Sequence, residues 1–209
     1  RAEGRHLMRR FTGNRLLVAT HNKGKLAEIE ALLAPFGIAC VGAAEMNLPE
    51  PAETETTFIG NARIKAHAAA KATGLPALAD DSGIECDGLN GAPGVYTADW
   101  AETPQGRDFH MAMRKTWEAL EAANAPRPRI ARFRSTLVLA WPDGEDEVFE
   151  GKVEGQVVWP MRGAHGHGYD PMFQPDGYQI PLGEMDPDEK NRISHRAAAF
   201  RKLVTCFGG

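Results

Sequence analysis

The apolar positions near the N-terminus follow two spacings, one typical of buried strands and one of amphipathic helices. Residues 16–19 (LLVA) form a continuous apolar run that predicts a buried strand. Large apolar residues then recur at helical spacing until Gly37, where we expect the helix to end: Leu26, Ile29, Leu32, Leu33 and Phe36. Residues 38–41 predict a second strand, so this part of the chain is a β–α unit followed by another strand.

The next segment changes character from loop to helix. Its first part, EMNLPEPAETE at residues 45–55, is acidic and carries prolines, so neither a helix nor a strand can run through all of it. An alanine-rich helix is predicted over residues 57–73 and is closed by Gly74. Asn61 and Lys65 share one face of this helix because they are four residues apart.

A strand followed by irregular chain is predicted for residues 76–96, PALADDSGIECDGLNGAPGVY. We expect the strand to end at Asp80 and Asp81, because the repeated glycines after them predict a loop or an irregular hairpin. A further helix is predicted to begin with Thr103 and Pro104. Its apolar side is formed by Phe109, Met113, Trp117 and Leu120.

The C-terminal half is dominated by two long predicted strands, residues 130–141 and 147–158, joined by a Pro-Asp-Gly turn. A loop rich in glycine and histidine follows at residues 162–171. The last predicted helix opens near Ser194 and buries Phe200, Leu203, Val204 and Phe207. This order of elements predicts an α/β fold, a mixed sheet with helices packed on it, and is compatible with elongation into two lobes.

The amino-acid composition limits the cellular compartments and the kinds of partner that we expect for this protein. With 209 residues, 43% of them hydrophobic, the chain is long enough to bury a real core. Its three cysteines are odd in number and far apart, which argues against a disulfide framework and indicates a reducing cytoplasm. We see no apolar run long enough for a membrane span and no signal peptide pattern, so we expect a soluble protein with no membrane partner.

Charge and the first residues add two further expectations. A net charge of −4 argues against a nucleic-acid partner bound through a broad basic face, so any phosphate must be bound locally. Residues 1–7 (RAEGRHL) precede Met8, and we interpret them as an expression remnant with Met8 as the native start.

The polar turn THNKGK, residues 20–25, is the first candidate binding site. A strand, a polar turn and a helix start can present backbone N–H groups to an anion. The turn is not a P-loop, because Ala19 and Leu26 occupy positions at which a P-loop needs glycine and Ser or Thr. Its lysines and threonine can still bind phosphate. A solvated turn is the alternative.

Two adjacent aspartates, Asp80 and Asp81, are the second candidate. Successive side chains of a strand point in opposite directions, so only one of the two would face a given ligand. With Glu50, Glu53 and Glu55 of the acidic loop they offer the oxygen ligands that Mg²⁺ prefers. The alternative is an aspartate that caps a turn.

Basic and imidazole groups supply the remaining candidates. His165 and His167 could ligate a transition metal, although no third ligand is near them in sequence. Lys190, His195 and Arg196 lie at the predicted start of the last helix, where cations are unfavourable unless an anion binds. Separate basic islands together with clustered carboxylates fit a magnesium-bound polyphosphate.

Six sequence segments between residues 16 and 203 occur in the same order as in a known protein family. They are THNKGK, TFIGNARIKA, ALADDSG, GAPGVY, HGYDPMF with QPDGY, and EKNRISHR. In this combination the chain resembles the inosine triphosphate pyrophosphatase family, which hydrolyses non-standard purine nucleoside triphosphates to the monophosphate and pyrophosphate. The resemblance implies a cytoplasmic homodimer whose single two-lobed domain, residues 8–209, holds a Mg²⁺-bound triphosphate such as ITP, dITP or XTP in a cleft between the lobes.

The resemblance also implies a role for each site residue. The polyphosphate would be bound by Thr20, His21, Asn22, Lys23, Gly24 and Lys25. The metal would be held by Glu53 and Asp81, and Asp81, assisted by Asp80, would be the general base for a water that attacks the α-phosphorus. The nucleotide would be contacted by Lys65, Ser82, Lys190, His195 and Arg196. The base pocket would be formed by His167, Gly168, Tyr169 and Asp170.

Three positions depart from the family pattern. His167 stands where phenylalanine is common, Gly60 where glutamate is common, and Asp99 where arginine is frequent. The first affects the base pocket and the others affect phosphate and metal contacts. Two alternative functions stay open: a nucleotide-binding sensor without turnover, and a metal-dependent hydrolase built on His165 and His167.

Overall fold

The computed structural model of the protein describes residues 7–208 and contains a six-stranded mixed sheet beside a small two-stranded hairpin. The strands are β1 (Arg15–Val18), β2 (Ala39–Gly42), β3 (Ala77–Cys86), β4 (Glu102–Thr103), β5 (Gly106–Arg107), β6 (Arg129–Ala140), β7 (Asp146–Val157) and β8 (Phe173–Pro175). The helices are α1 (Lys23–Leu33), α2 (Phe58–Thr73), α3 (Phe109–Ala122), α4 (Pro187–Ile193) and α5 (His195–Leu203).

The large sheet has the order β2-β1-β3-β6-β7-β8. The strand β1 is parallel to both of its neighbours, β2 and β3. The remaining pairs, from β3 through β6 and β7 to β8, are antiparallel. The predicted α/β fold with a mixed sheet flanked by helices is therefore confirmed.

The first two helices begin and end where the sequence predicts. The side chain of Asn22 caps α1 by accepting the Lys25 N–H at 3.0 Å, and Thr57 caps α2 in the same way. Gly37 and Gly74 close these two helical regions with φ of 68° and 69°. The caps satisfy free helical N–H groups, and glycine adopts the left-handed conformation without a steric cost.

Apolar clusters fill both ends of the long β6–β7 pair. One packs α1 and α5 against residues such as Leu137 and Phe149, and the other packs α3 against residues such as Phe133 and Val157. A third, alanine-rich cluster lies under α2 on the opposite face of β1 and β3. The space between the second and third clusters is where the candidate site lies.

The strand that carries the two aspartates does not end at them, and this prediction was wrong. The strand β3 continues to Cys86 because all ten of its residues pair with β6, with Asp80 opposite Leu137 and Asp81 opposite Thr136. A carboxylate is tolerated inside a strand when its charge has partners, and Asp80 has them. The glycine-rich loop begins only after Cys86.

The start of α3 was also predicted wrongly. Residues around Thr103 and Pro104 form the β4–β5 hairpin, in which Thr103 pairs with Gly106. The helix begins after Asp108, whose carboxylate accepts the Met111 N–H at 3.0 Å. An N-cap aspartate decided the boundary, rather than the Thr-Pro pair.

The C-terminal region contains one helix more than predicted. The short helix α4, with Pro187 in its first turn, precedes Ser194, which caps α5 by accepting the Ala197 N–H at 3.0 Å. The predicted start of the last helix is confirmed, but Phe207 lies beyond its end and packs on the core from a separate turn. We find no helix in residues 7–208 that has the length and apolar character to cross a bilayer.

Two predictions concern the limits of the domain. Residues 1–6 and 209 lie outside the described residues, so the interpretation of residues 1–7 as an expression remnant stays a prediction. The assignment of residues 8–209 to one two-lobed domain likewise stays a prediction.

Candidate active site

A cavity of about 310 Å³ lies beside the middle of β3, between the α2 cluster and the α3 cluster. Its volume is in the range of small-molecule pockets. It is lined by these predicted site residues: Thr20, His21, Asn22, Glu53, Lys25, Lys65, Asp81, Ser82, His167, Gly168, Tyr169, Asp170, His195 and Arg196. Asp80 and Lys190 are buried behind the wall, and Lys23 is exposed beside it. Six separate parts of the sequence therefore meet at one cavity.

The THNKGK turn forms one end of the cavity. The Thr20 hydroxyl accepts the Asn22 N–H at 3.1 Å, and Asn22 in turn caps α1. These two bonds fix the turn at the N-terminus of an 11-residue helix, where the helix dipole favours an anion. Lys25 projects from the first turn towards β3 and places its Nζ 2.9 Å from Asp80 Oδ2.

Asp80 lies on what we call the sealed side of β3, formed with Glu28, Lys190 and Arg196. Its carboxylate accepts the Ser135 hydroxyl at 2.5 Å, and Arg196 Nη2 lies 3.3 Å from Oδ2. Burial by itself would raise the pKa of Asp80, but the Arg196 guanidinium and the Lys25 ammonium hold it well below its usual range. The side chain is therefore a permanently charged anchor for two cations.

Glu28 is the second carboxylate of the sealed side, and sequence reasoning missed it. Its Oε1 lies 2.5 Å from Lys190 Nζ and 3.0 Å from His167 Nε2, and its Oε2 accepts a bond from Arg196. Burial opposes its charge, but Arg196, His167 and Lys190 together push the pKa of Glu28 far below its usual range. The available signal was position: Glu28 lies one helical turn after Lys25.

The sealed side is completed by Asp170, whose Oδ2 accepts Lys190 Nζ at 2.6 Å and the His167 backbone N–H at 2.9 Å. Arg196 Nη2 also donates to the Ser82 hydroxyl at 3.1 Å. These bonds join α1, β3, the 162–171 loop and the last two helices. Such a network fixes geometry, because each charge has a partner and none is free to move.

Asp81 lies on the opposite face of β3, which we call the open side and define by Asp81, Glu53 and Lys65. Only 5% of Asp81 is exposed, and its Oδ2 has no hydrogen-bond partner among residues 7–208. Burial raises the pKa of Asp81 to about 6, although Lys65 and Lys25 oppose the shift. A buried carboxylate oxygen without a partner, on a residue that lines a cavity, marks a place where a ligand can bind.

Lys65 connects the two other groups of the open side. Its Nζ lies 2.7 Å from Glu53 Oε1 and 3.8 Å from Asp81 Oδ1, and it donates to the Asp80 backbone carbonyl at 2.6 Å. Glu53 and Asp81 are thus neighbours across one ammonium. Their oxygens, one of them unpartnered, suit a hard cation such as Mg²⁺.

The far end of the cavity is aromatic. His195 stacks on Phe133 with ring centroids 4.8 Å apart and an interplanar angle of 21°. Burial, with a further contribution from Arg196, lowers the pKa of His195 well below its usual range, so the imidazole is neutral. Its Nδ1 has no partner in the described part of the chain. Tyr169 is buried in the wall of the same cavity and donates its hydroxyl to the Thr97 carbonyl at 2.9 Å. This end suits a flat heterocycle.

His167 lies against the THNKGK turn and also lines the cavity. A Cβ added to Gly24 would lie 2.6 Å from the imidazole, which shows how closely the ring covers the THNKGK turn. Within residues 7–208, Glu28, His167 and Asp170 form a group that could hold a metal ion, but Lys190 Nζ already bonds to both carboxylates. His165 is exposed and outside this group. A base-stacking role of His167 stays a prediction.

The other two departures lie on the open side. Asp99 is exposed in a short turn and borders a shallow hollow with Glu53 and Arg107. Partial burial and the Glu53 carboxylate raise the pKa of Asp99. Gly60 lies in the first turn of α2, next to the acidic loop.

Comparison with known proteins agrees with these observations. The sequence profile of the Ham1 family matches residues 16–206. The chain belongs to the Ham1 family. It is similar to the dITP/XTP pyrophosphatase of Ruegeria pomeroyi, with 69% identity over 97% of this chain and 100% of the relative. The dITP/XTP pyrophosphatase of Agrobacterium fabrum is 57% identical over 96% of this chain and 99% of its own length.

Solved structures of the family share the fold. A Ham1 protein from Coxiella burnetii superposes with a TM-score of 0.83 at 39% identity, covering 92% of this chain and 98% of the other. The Staphylococcus aureus Ham1 protein gives a TM-score of 0.77 at 30% identity over 91% and 96% of the two chains. The resemblance drawn from the six sequence segments is therefore confirmed at the level of family and fold.

Proposed function

We propose that the protein hydrolyses non-standard purine nucleoside triphosphates, namely ITP, dITP and XTP, to the nucleoside monophosphate and pyrophosphate. The observation that carries the proposal is the Asp81 carboxylate. It is buried, has an unpartnered oxygen, and faces a cavity between the THNKGK turn and an aromatic end. The names of the relatives supply the substrate class.

The reaction needs an oriented water and compensation of spreading negative charge. Asp81 accepts the proton of the water, whose oxygen forms a bond to the α-phosphorus as the bond to the bridging oxygen breaks and pyrophosphate leaves. Asp81 suits this role because it lies in the cavity wall and has a carboxylate oxygen without a partner within residues 7–208. Lys25, Lys65 and Arg196 line the cavity as cations for the phosphate oxygens.

A magnesium ion fits the open side. Glu53 and Asp81 would hold it, since the unpartnered Oδ2 of Asp81 and the Glu53 carboxylate are hard oxygen donors in the cavity wall. When bound, Mg²⁺ neutralises phosphate charge and orients the phosphate oxygens. The sealed side contributes differently: its paired charges hold Lys25 and Arg196 in place before substrate arrives.

The aromatic end would bind the purine. Phe133, His195 and Tyr169 give it flat faces, and the neutral His195 carries a ring nitrogen without a partner in the described residues. A 6-oxo purine and a 6-amino purine differ in the acceptor or donor they present at the ring edge. A mismatched buried polar group is costly, so these edge contacts decide selectivity more than stacking does.

Partners and compartment belong to the same proposal. We place the enzyme in the cytoplasm as a homodimer that removes damaged nucleotides from the precursor pool. The described residues of one chain already contain both ends of the cavity, so dimerisation would support the site rather than complete it.

One assay tests the proposal. Pyrophosphate release is measured from ITP, XTP, ATP and GTP, with Mg²⁺ and with a chelator. The expected result is Mg²⁺-dependent release from ITP and XTP that clearly exceeds release from ATP and GTP. Tight binding of ITP without release would instead establish the sensor. Activity that survives removal of Mg²⁺ but is lost with a transition-metal chelator would establish the histidine hydrolase.

A further inference from the structure

The segment that carries Glu53 has no regular structure of its own. Residues 43–57, between β2 and α2, contain neither helix nor strand. The first part of the segment is closed on itself by a bond from the Leu48 N–H to the Ala43 carbonyl at 3.0 Å. A carboxylate on an irregular segment needs another anchor if it is to hold a fixed position opposite Asp81.

Asn61 of α2 provides such an anchor. It binds the backbone of Glu55, which lies two residues after Glu53 in the segment. Its side-chain Oδ1 accepts the Glu55 N–H at 2.9 Å, and its Nδ2 donates to the Glu55 carbonyl at 3.2 Å. Both polar groups of one residue's backbone are therefore bound by a single amide. Asn61 is 2% exposed and belongs to α2, which is packed on the sheet, so the clamp is rigid.

Lys65 lies one helical turn further on the same face of α2 and holds the Glu53 carboxylate itself at 2.7 Å. The helix therefore grips this stretch at two points, the backbone through Asn61 and the carboxylate through Lys65. A metal ion or a phosphate that binds Glu53 or Lys65 would compete with the Lys65–Glu53 contact, but not with the bonds from Asn61 to the Glu55 backbone.

Gly60 makes the close approach possible. A Cβ at this position would lie 2.7 Å from Glu55 Cβ and 2.9 Å from Glu55 Cγ, closer than real Cβ atoms come. Any larger residue would push the segment away from α2. The glycine is thus matched to the Asn61 clamp beside it.

We propose that Asn61 is a positioning residue, which fixes the Glu55 peptide and thereby places the Glu53 carboxylate beside Asp81, with Gly60 giving the room that the clamp needs. The inference rests on the proposed function, in which Glu53 and Asp81 hold Mg²⁺. Asn61 touches neither carboxylate in this arrangement and acts only through the backbone of the segment.

The first test replaces Asn61 and uses two readouts. In Asn61→Ala, the Glu55 amide should lose protection from hydrogen exchange while the Leu48 amide keeps its own. The half-saturating Mg²⁺ concentration for ITP hydrolysis should rise about tenfold, the lower end of the effect of partners that orient metal ligands, and kcat at saturating Mg²⁺ should change much less. Asn61→Asp keeps the acceptor but not the donor, so it should lie between Asn61→Ala and the wild type.

The second test separates positioning from stability. Gly60→Ala should raise the half-saturating Mg²⁺ concentration, because the segment is displaced, while Tm should change little, because the better helix propensity of alanine offsets part of the lost packing. Thr73→Val is the matched control at the other end of α2. It also removes two side-chain hydrogen bonds to backbone, at 2.8 and 3.2 Å, but it should leave the Mg²⁺ dependence unchanged.

The outcomes are distinguishable. If Glu55 exchange is unchanged in Asn61→Ala, or if the Mg²⁺ dependence is unchanged in both Asn61→Ala and Gly60→Ala, the positioning role is wrong even when the wild type is active. If the wild type releases no pyrophosphate from any purine triphosphate, the proposed function fails, while the exchange measurement still decides whether Asn61 fixes the Glu55 peptide.

Discussion

The two sides of β3 treat adjacent carboxylates in opposite ways. On the sealed side, Asp80 accepts bonds from Ser135 and Arg196 and pairs with Lys25, and its pKa is held low. On the open side, burial raises the pKa of Asp81 to about 6, and one of its oxygens has no partner in the described chain. A saturated carboxylate can only support its neighbours, whereas an unsaturated one can bind and react. In the proposed mechanism, chemistry and support are therefore divided between two successive residues of β3.

The largest effect should come from breaking the sealed side. Asp80→Asn keeps the shape of the side chain but removes the charge that balances Arg196 and Lys25, so we expect the free energy of unfolding to fall by about 3 kcal/mol. Urea denaturation of the metal-free protein measures this. A loss below about 0.5 kcal/mol, the scale of an ordinary surface change, would show that Asp80 is not an anchor.

Breaking the open side should abolish turnover instead. Asp81→Asn removes the proposed proton acceptor and proposed metal ligand, so we expect kcat with ITP to fall by at least about 10²-fold, with no loss of Tm. Glu85→Gln on the same strand is the control, because Glu85 pairs with Arg134 and does not line the cavity. Near-normal turnover in Asp81→Asn would contradict the assignment of the base.

The pH dependence of the free energy of unfolding should contain separate contributions from the sealed side and from the open side of β3. The lowered pKa values of Asp80 and Glu28 mean that their contribution is complete above about pH 4 and is lost on acidification. Asp81 has the opposite sign: its pKa rises from about 4 unfolded to about 6 folded, so the free energy of unfolding falls by up to about 3 kcal/mol between these values.

Unfolding of the metal-free protein at intervals between about pH 3 and pH 7 gives this profile. In the wild type, the free energy of unfolding should increase as the pH is raised to about 4 and should then decrease as the pH is raised to about 6. Asp81→Asn should keep the increase but lose the decrease. An identical decline in that variant would mean that another group is responsible.

The smallest effect concerns His167, which touches both the THNKGK turn and Glu28. His167→Phe removes the bond from the imidazole to Glu28, but Glu28 keeps Lys190 and Arg196 as partners. The phenylalanine ring also offers a larger flat face to a purine. We expect KM for ITP to fall severalfold, a fraction of the ~1–3 kcal/mol typical of base stacking, with the preference for ITP over ATP unchanged. His165→Phe, at an exposed position in the same loop, is the control. An unaltered KM would mean that residue 167 does not face the base.

Much of the fold was readable because apolar spacing reports burial directly. The strands around residues 16–19 and 130–141, and the helix ends at Gly37 and Gly74, were all predictable from short local signals. The errors came where tertiary contacts overrode local ones. The strand β3 continues past Asp80 because its pairing with β6 and the cations on the sealed side outweigh the turn propensity of Asp-Asp-Ser-Gly.

The site was predictable where its residues lay in recognisable segments, and not where partnership depends on folding. Glu28 is one of two glutamates on α1, and only the folded chain brings Lys190 and Arg196 to it. Asn61 was recognised as a neighbour of Lys65 on one face of a helix. Its bond to the Glu55 peptide could not be predicted, because it depends on the path of a segment without regular structure.

The Glu28–Arg196 pair joins residues 168 positions apart in the chain. Contacts between residues so distant in sequence form late, because the entropy of closing the intervening loop must be overcome first. During synthesis, α5 leaves the ribosome after every other element of the cavity, so a nascent chain that lacks α5 has no complete nucleotide pocket. Only a chain that has folded over its whole length can therefore be active, and incomplete chains do not hydrolyse nucleotides.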